Sequence, residues 1–213
     1  EYNKVINIEL LNDYWKATLQ DGQIIKSKIL INASGPWINE TMKNVIKLNS
    51  IKKIRLVKGS HIITNKLYEE NIAFTLQNDD KRVVFVIPYN NKFSLIGTTE
   101  VEVDTPDENK IDEFEIQYLI DCVNKYFLKP IKKSDIVETY SGIRPLIEDF
   151  KEASKVTRDY IFDLNTKNNL PILSVYGGKL TTYRKLSEKA LNELSKFLPL
   201  NTNKPWTDKK KLI

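Results

Sequence analysis

The sequence predicts an α+β fold built around antiparallel sheet, and three observations carry that prediction. Alternating apolar and polar runs joined by turn residues fill most of the first hundred positions, a helical apolar period takes over near Ile111, and a strand-like run passes through two adjacent glycines into a closing amphipathic helix.

Taken in order, residues 3–10, 13–20 and 23–31 read as a three-stranded meander whose third strand ends in the apolar "ILI". Asp21-Gly22 supplies one of its turns, where a hairpin needs positive φ. "NASGPW" then turns into a helix, with Pro36 suited to a first helical position, Ser34 or Gly35 placed to cap it, and Ile38, Met42 and Val45 as its buried stripe. Further strands are expected at 54–64, 72–76, 82–88 and 92–98, the last two joined at Asn90-Asn91. From Ile111 to Phe127 a helix is expected with Ile111, Phe114, Tyr118, Cys122 and Tyr126 on one face. Acidic residues come early in it, Lys125 and Lys129 late, as the helix dipole favours, and Pro130 ends it. Strands follow near 136–143, 155–163 and 171–176, and a last helix from Thr181 or Thr182 carries Tyr183, Leu186, Ala190, Leu194 and Phe197.

Composition narrows the chemistry. A chain of 213 residues can bury a real core as one large domain or two small ones. Its longest apolar stretch, "VVFVI" at 83–87, is strand length and far short of the ~18 residues of a membrane span. The amino terminus has no signal pattern and no initiator Met, which suggests a fragment. Cys122 is the only cysteine, so disulfide frameworks and thiolate zinc sites are excluded and a buried structural thiol is expected. His61 is the only histidine, which removes His-pair metal sites, and there is no G-x-S-x-G elbow, so no metal and no hydrolase is expected. Redox, phosphate and carbonyl chemistry stay open. The net charge of +5 is spread among acidic residues without a basic stripe, so no nucleic-acid partner is expected, and Lys209-Lys210-Lys211 reads as a solvated tail.

Glycine is scarce, with 7 in the chain, about half the ~7% usage of ordinary proteins. Apart from Gly22 they sit in "NASGPW", "KGSHI", "IGTTE", "SGIRPL" and the pair Gly177-Gly178. A strand feeding through that pair into a helix leaves free backbone N–H groups and a positive dipole end at Lys179–Thr182, able to hold partial negative charge. The alternative is a tight connection whose glycines merely permit close packing. Arg144 precedes Pro145, which favours an extended backbone there. On the residues alone, Arg144 and Arg158 read first as surface ion-pair partners, for instance Arg158 with Asp159. A lone histidine on an apolar strand is often structural.

The strings "INASGPW", "KGSHI", "FVIPY", "LIGTTE", "YSGIRPL", "TRDY" and "SVYGGKLTTYRKL" stand in an order and spacing that resemble the FAD-dependent glycerol-3-phosphate dehydrogenases, across nearly the whole chain. The resemblance implies a partial FAD-binding domain plus an antiparallel-sheet substrate domain of the D-amino-acid-oxidase-like flavoprotein type. Residues 1–50 would belong to the FAD-binding domain, 51–170 to the substrate domain, 171–200 to the returning strand and helix of the first, and 201–213 to the start of a C-terminal region. There is no G-x-G in this chain, so it would be a central fragment lacking the N-terminal G-x-G-x-x-G segment and the C-terminal helical domain, holding FAD weakly or not at all. Glu100 stands where the family often has Asp.

By the same resemblance, Ala33, Gly35, Gly177, Gly178, Lys179, Leu180 and Thr181 would contact FAD, the last turn facing the flavin edge that becomes electron-rich on reduction. Arg144 and Arg158 would be phosphate ligands, since guanidinium forks bind phosphate through paired charge-assisted hydrogen bonds. His61 would accept the substrate hydroxyl proton, with Lys179 stabilising negative charge. The implied reaction is oxidation of sn-glycerol 3-phosphate to dihydroxyacetone phosphate, with FAD as hydride acceptor and quinone as the onward acceptor. A peripheral seat on the cytoplasmic membrane face and a homodimer are among its implications. The competing readings are a flavoprotein amine oxidase of the D-amino-acid-oxidase type, which would need an arginine for a carboxylate, and a non-catalytic binding module.

Overall fold

Asp21-Gly22 turns the chain where alternation predicts it, with Gly22 at φ +87°. In the computed structural model, which describes residues 2–49, 52–147, 159–199 and 206–210, the chain divides into two units. One holds the residues before Arg55 and those described after Arg144, the other runs from Arg55 to Arg144.

In the first unit β1 (Val5–Leu10), β2 (Trp15–Leu19) and β3 (Ile24–Ser27) form the expected antiparallel meander. Its third run is not continuous. Ser27 Oγ donates to the Ile29 carbonyl at 2.8 Å and accepts from the Ile29 amide at 3.3 Å, turning the chain locally. The apolar run beyond becomes β4 (Leu30–Asn32), which leaves the meander to pair in parallel with β12 (Leu170–Gly177). β11 (Tyr160–Lys167) lies antiparallel on β12's other side, and Asn168 and Asn169 turn between them at φ +47° and +61°. That pairing returns residues 160–167 to the first unit, whereas the sequence reading held everything to 170 in the middle domain.

After β4 a 3-10 turn over Gly35–Trp37 leads into α1 (Ile38–Glu40) and a π-helical turn, Thr41–Ile46. Ser34 stands at the cap position but makes no cap bond, its hydroxyl donating instead to Asn32 Oδ1 at 2.7 Å. Ile38 and Met42 are buried as expected, but Ile46 is buried where Val45 was expected. The wider π turn carries the inward position one residue on. Ile8, Trp15, Met42, Ile46, Leu170 and Ile172 make one core, and the Trp15 indole satisfies its N–H on the Pro171 carbonyl at 3.1 Å. On the same unit α3 (Tyr183–Glu193) buries Ala190, with Leu194 just beyond its end, against Leu173.

The second unit is a six-stranded sheet of β5 (Ile54–Asn65), β6 (Phe74–Gln77), β7 (Val83–Tyr89), β8 (Phe93–Gly97), β9 (Val101–Val103) and β10 (Ile136–Ile147). Its order is β10-β5-β8-β7-β6, with β9 also on β5. Asn90 and Asn91, both at positive φ, make the β7–β8 hairpin expected of them. Only β9 went unforeseen, since three residues of Val-Glu-Val are too short to show a period. One face of this sheet, with Ile62, Leu76, Val84, Val86 and Ile96, packs on α2 (Glu113–Tyr126).

α2 turns inward a side rotated from the expected one, of which Cys122 is buried and Ile111 and Tyr118 pack against the core. Phe114 and Tyr126 are exposed, while Glu115, Leu119, Ile120, Cys122 and Val123 are buried. Two overlapping stripes exist in the sequence, and the sheet selects the one whose aliphatic volume it can close over. Cys122 is the buried structural thiol expected, and burial pushes its pKa up.

Candidate functional site

Strand alternation on β5 turns Gly59 and His61 to the sheet face opposite α2, with Lys58, Ser60 and Ile62 on the helix side. Register carries that face across the sheet, since His61 and Phe85 both stand opposite Gly97. On β10, Tyr140, Gly142 and Arg144 share one side by the same two-residue period.

Two close approaches build the site. A Cβ on Gly97 would lie 2.2 to 2.7 Å from the His61 imidazole, and one on Gly59 would lie 2.4 to 2.6 Å from the Arg144 guanidinium. Each planar group therefore rests on a strand backbone that only glycine leaves bare. The imidazole is covered on top by Tyr140, stacked at 4.6 Å between centroids and 7° between planes. Arg144 Nη2 donates to Thr98 Oγ1 at 3.0 Å. His61 Nδ1 is buried and has no hydrogen-bond partner among the described residues. Burial, and then the positive charge of Arg144, hold the imidazole pKa below its ordinary value. The outcome is a neutral base beside a fixed cation, an arrangement suited to a substrate that carries both a hydroxyl and an anionic group.

The structure thus brings His61 and Arg144 together in one unit, as their sequence strings suggested singly. Tyr140 and Thr98 were not foreseen. The signal for Tyr140 was its even spacing from Arg144 on a strand, but which face that spacing served needed the pairing of β10 with β5. Arg158 lies outside the described residues.

Lys179, paired with His61 in the sequence reading, belongs to the other unit. It caps the 3-10 turn Leu180–Thr182, its carbonyl accepting from the Thr182 amide and hydroxyl, each at 3.0 Å. Before it, Gly177 and Gly178 lie at φ +72° and +101°. A Cβ on Gly177 would sit 2.6 Å from the Asp159 carbonyl oxygen, and one on Gly178 3.1 Å from Leu186 Cδ1. Close packing therefore requires glycine at 177, and the positive φ favours it at both positions. Beyond them Lys179, Leu180 and Thr181 are exposed, and no side chain caps the turn. Ala33 lines a cavity of about 590 Å³ in the same unit with Ile31, Asn32, Ser34 and Trp37, and Gly35 follows at φ +58°. Among the described residues no His, Cys, Asp or Glu cluster suited to a metal ion forms, and no helix is long and apolar enough to cross a membrane.

Comparison with known proteins adds an independent line. The family model described as FAD dependent oxidoreductase matches residues 1–184. The aerobic glycerol-3-phosphate dehydrogenase of Escherichia coli (strain K12) is 48% identical over 171 residues, which cover 79% of this chain and 34% of that protein. The D-erythritol 1-phosphate dehydrogenase of Brucella abortus (strain 2308) is 42% identical over 176 residues, 82% of this chain and 35% of that one. The X-ray structure of the glycerol-3-phosphate dehydrogenase from Bacillus halodurans, complexed with FAD, superposes with a TM-score of 0.76 over 94% of this chain and 40% of that chain, at 24% identity, and so supports the fold. The chain spans about a third of the length of these two relatives.

Proposed function

This chain belongs to the FAD dependent oxidoreductase family, and we propose that the whole protein oxidises sn-glycerol 3-phosphate to dihydroxyacetone phosphate with FAD as hydride acceptor. The observation that carries the reading is the neutral imidazole of His61 held beside the Arg144 guanidinium on one sheet face. Similarity to the Escherichia coli dehydrogenase supports the substrate.

The Arg144 guanidinium binds the phosphate, with Thr98 holding its Nη2 in place. The imidazole of His61 takes the proton from the C2 hydroxyl as the C2 carbonyl forms. Tyr140 above and Gly97 below keep the ring from turning away, and its lowered pKa keeps it unprotonated at neutral pH. FAD, when bound, supplies the two-electron acceptor for the hydride leaving C2. The residues present fit that group. Lys179, Leu180 and Thr181 form an exposed turn with no side-chain cap, and backbone N–H groups at such a turn suit the electron-rich edge of a reduced flavin. Lys179 adds positive charge there, and Ala33 borders the cavity of the same unit, with Gly35 two residues on at φ +58°. Quinone as onward acceptor, a peripheral seat on the cytoplasmic membrane face and a homodimer complete the proposal on the strength of the resemblance.

The test is anaerobic flavin reduction by the whole FAD-loaded protein, with glycerol 3-phosphate and D-erythritol 1-phosphate as rival substrates. Glycerol 3-phosphate is expected to bleach the flavin with the higher kcat/KM, and failure to bleach it would overturn the reading. The pH profile has a definite sign. A base works unprotonated, so kcat/KM holds level above the free-enzyme pKa of His61 and falls about tenfold per pH unit below it. Because that pKa is lowered, the acid limb lies below the ordinary imidazole value of about 6.5. His61→Ala removes the limb and lowers kcat far more than it raises KM.

A further inference from the structure

The helix-side face of the sheet, directly behind His61 and Gly59, carries a buried polar network that the proposed reaction does not use. Lys58 and Glu115 are the buried charged residues among those described, at 5% and 4% exposure. Glu115 Oε2 faces Lys58 Nζ at 2.8 Å and accepts the Asp112 amide at 3.1 Å. Its Oε1 accepts Ser60 Oγ at 2.8 Å and Thr99 Oγ1 at 2.5 Å. Ser141 Oγ donates to Ser60 Oγ at 2.8 Å, and the Ser60 amide donates to Thr99 Oγ1 at 2.9 Å. Lys58 Nζ also reaches the Lys110 carbonyl at 2.8 Å.

Helix capping accounts for little of this. Asp112 and Glu115 form a capping box at the start of α2, which needs one bond from the Glu115 carboxylate to the Asp112 amide. The remaining donors come from β5 and from the link between β8 and β9. Nor does fold stability ask for a buried ion pair, since well-packed apolar residues of similar volume commonly serve as well. What the carboxylate does impose is direction. It can only accept, so the Ser60 and Thr99 hydroxyls must each spend their one proton on it, and Ser60 is left to accept from Ser141.

Each hydroxyl of the network neighbours a site group in sequence. Ser60 stands between Gly59 and His61, Ser141 follows Tyr140, and Thr99 follows Thr98. On β5 and β10 alternation sends neighbours to opposite faces, so the network lies behind the groups that seat the imidazole and the guanidinium.

We propose that Glu115 is a positioning residue, which through Ser60, Thr99 and Ser141 fixes β5, β10 and the link after β8 in the register that seats His61 and Arg144. This rests on the reading of His61 and Arg144 given above. An error in strand placement well under 1 Å matters here, because base and phosphate ligand act on one small molecule.

Two variants of the whole FAD-loaded protein test it, Lys58→Met with Glu115→Leu, and Ser141→Ala. The double variant removes the ion pair as a unit and leaves no buried charge alone. Its melting temperature is expected to fall modestly, since the Ser60 and Thr99 hydroxyls and the Asp112 amide lose their acceptor, while kcat/KM for glycerol 3-phosphate falls roughly tenfold to a hundredfold. Ser141→Ala is expected to do the same more weakly, and it decides alone if the double variant does not fold. A readout independent of turnover is the His61 imidazole titration by NMR. The groups facing that ring are Tyr140 and Arg144 from β10 and the Gly97 backbone from β8. In both variants its pKa is expected to rise toward the ordinary value as the ring loosens from its seat. Unchanged His61 titration and kcat/KM in the folded variants would overturn the proposal. If the parent protein does not oxidise glycerol 3-phosphate, the functional reading fails, yet the titration still decides whether Glu115 positions His61.

Discussion

At the turn after β12 the backbone itself demands glycine, with Gly177 and Gly178 at φ +72° and +101° and a carbonyl oxygen where the Gly177 Cβ would be. On the open face of the second unit, Gly59 and Gly97 lie in strands without positive φ, yet a Cβ at either would collide with a side chain drawn from elsewhere. The first pair answers to local conformation and to rigid backbone. The second answers to the placement of His61 and Arg144. Glycines of the first kind protect the fold, and those of the second kind protect the chemistry.

The largest effect should come from the rigid side of that contrast. Gly177→Ala in the whole protein is expected to cost about 3 kcal/mol of stability in chemical denaturation. The left-handed conformation accounts for ~1–2 kcal/mol of it, and displacement of the Asp159 carbonyl for the rest. A loss within ~0.5 kcal/mol would place this turn with ordinary surface substitutions and dissolve the comparison.

Gly97→Ala should spare the fold more and the reaction less. The imidazole, held between this backbone and Tyr140, has to leave its seat, and kcat/KM is expected to fall about a hundredfold. Denaturation and steady-state kinetics on the same preparation check it, and a stability loss matching that of Gly177→Ala would show the two glycine classes to be one.

The smallest effect belongs to Gly59→Ala. The guanidinium it displaces is the far end of a flexible side chain and can yield by a small shift. KM for glycerol 3-phosphate should rise roughly tenfold with kcat nearly unchanged, as befits phosphate binding shared by ground and transition states. A fall in kcat with constant KM would move Gly59 from phosphate binding to the chemical step.

These distinctions separate what was legible from what was not. The Asp21-Gly22 and Asn90-Asn91 turns, the strands at β5, β7 and β8, the Pro36 helix start and the strand passing through Gly177-Gly178 all follow from patterns within a few residues, and the sequence alone determines them. His61 and Arg144 are singled out only by the resemblance of the strings that hold them, "KGSHI" and "YSGIRPL", since the residues alone leave a structural histidine and a surface ion pair open. Tertiary structure decided the rest. Whether "ILI" continues a meander or crosses to β12 depends on a partner about 140 positions away, and periodicity has no access to partners. Whether α2 buries Phe114 or Glu115 depends on a lysine from β5, since a carboxylate goes inside only where a cation and hydroxyls meet it. That Tyr140 stacks on His61 depends on three strands sharing one register. Short-range pattern sets the period of an element, but the face it turns inward is chosen by whatever the rest of the chain brings against it.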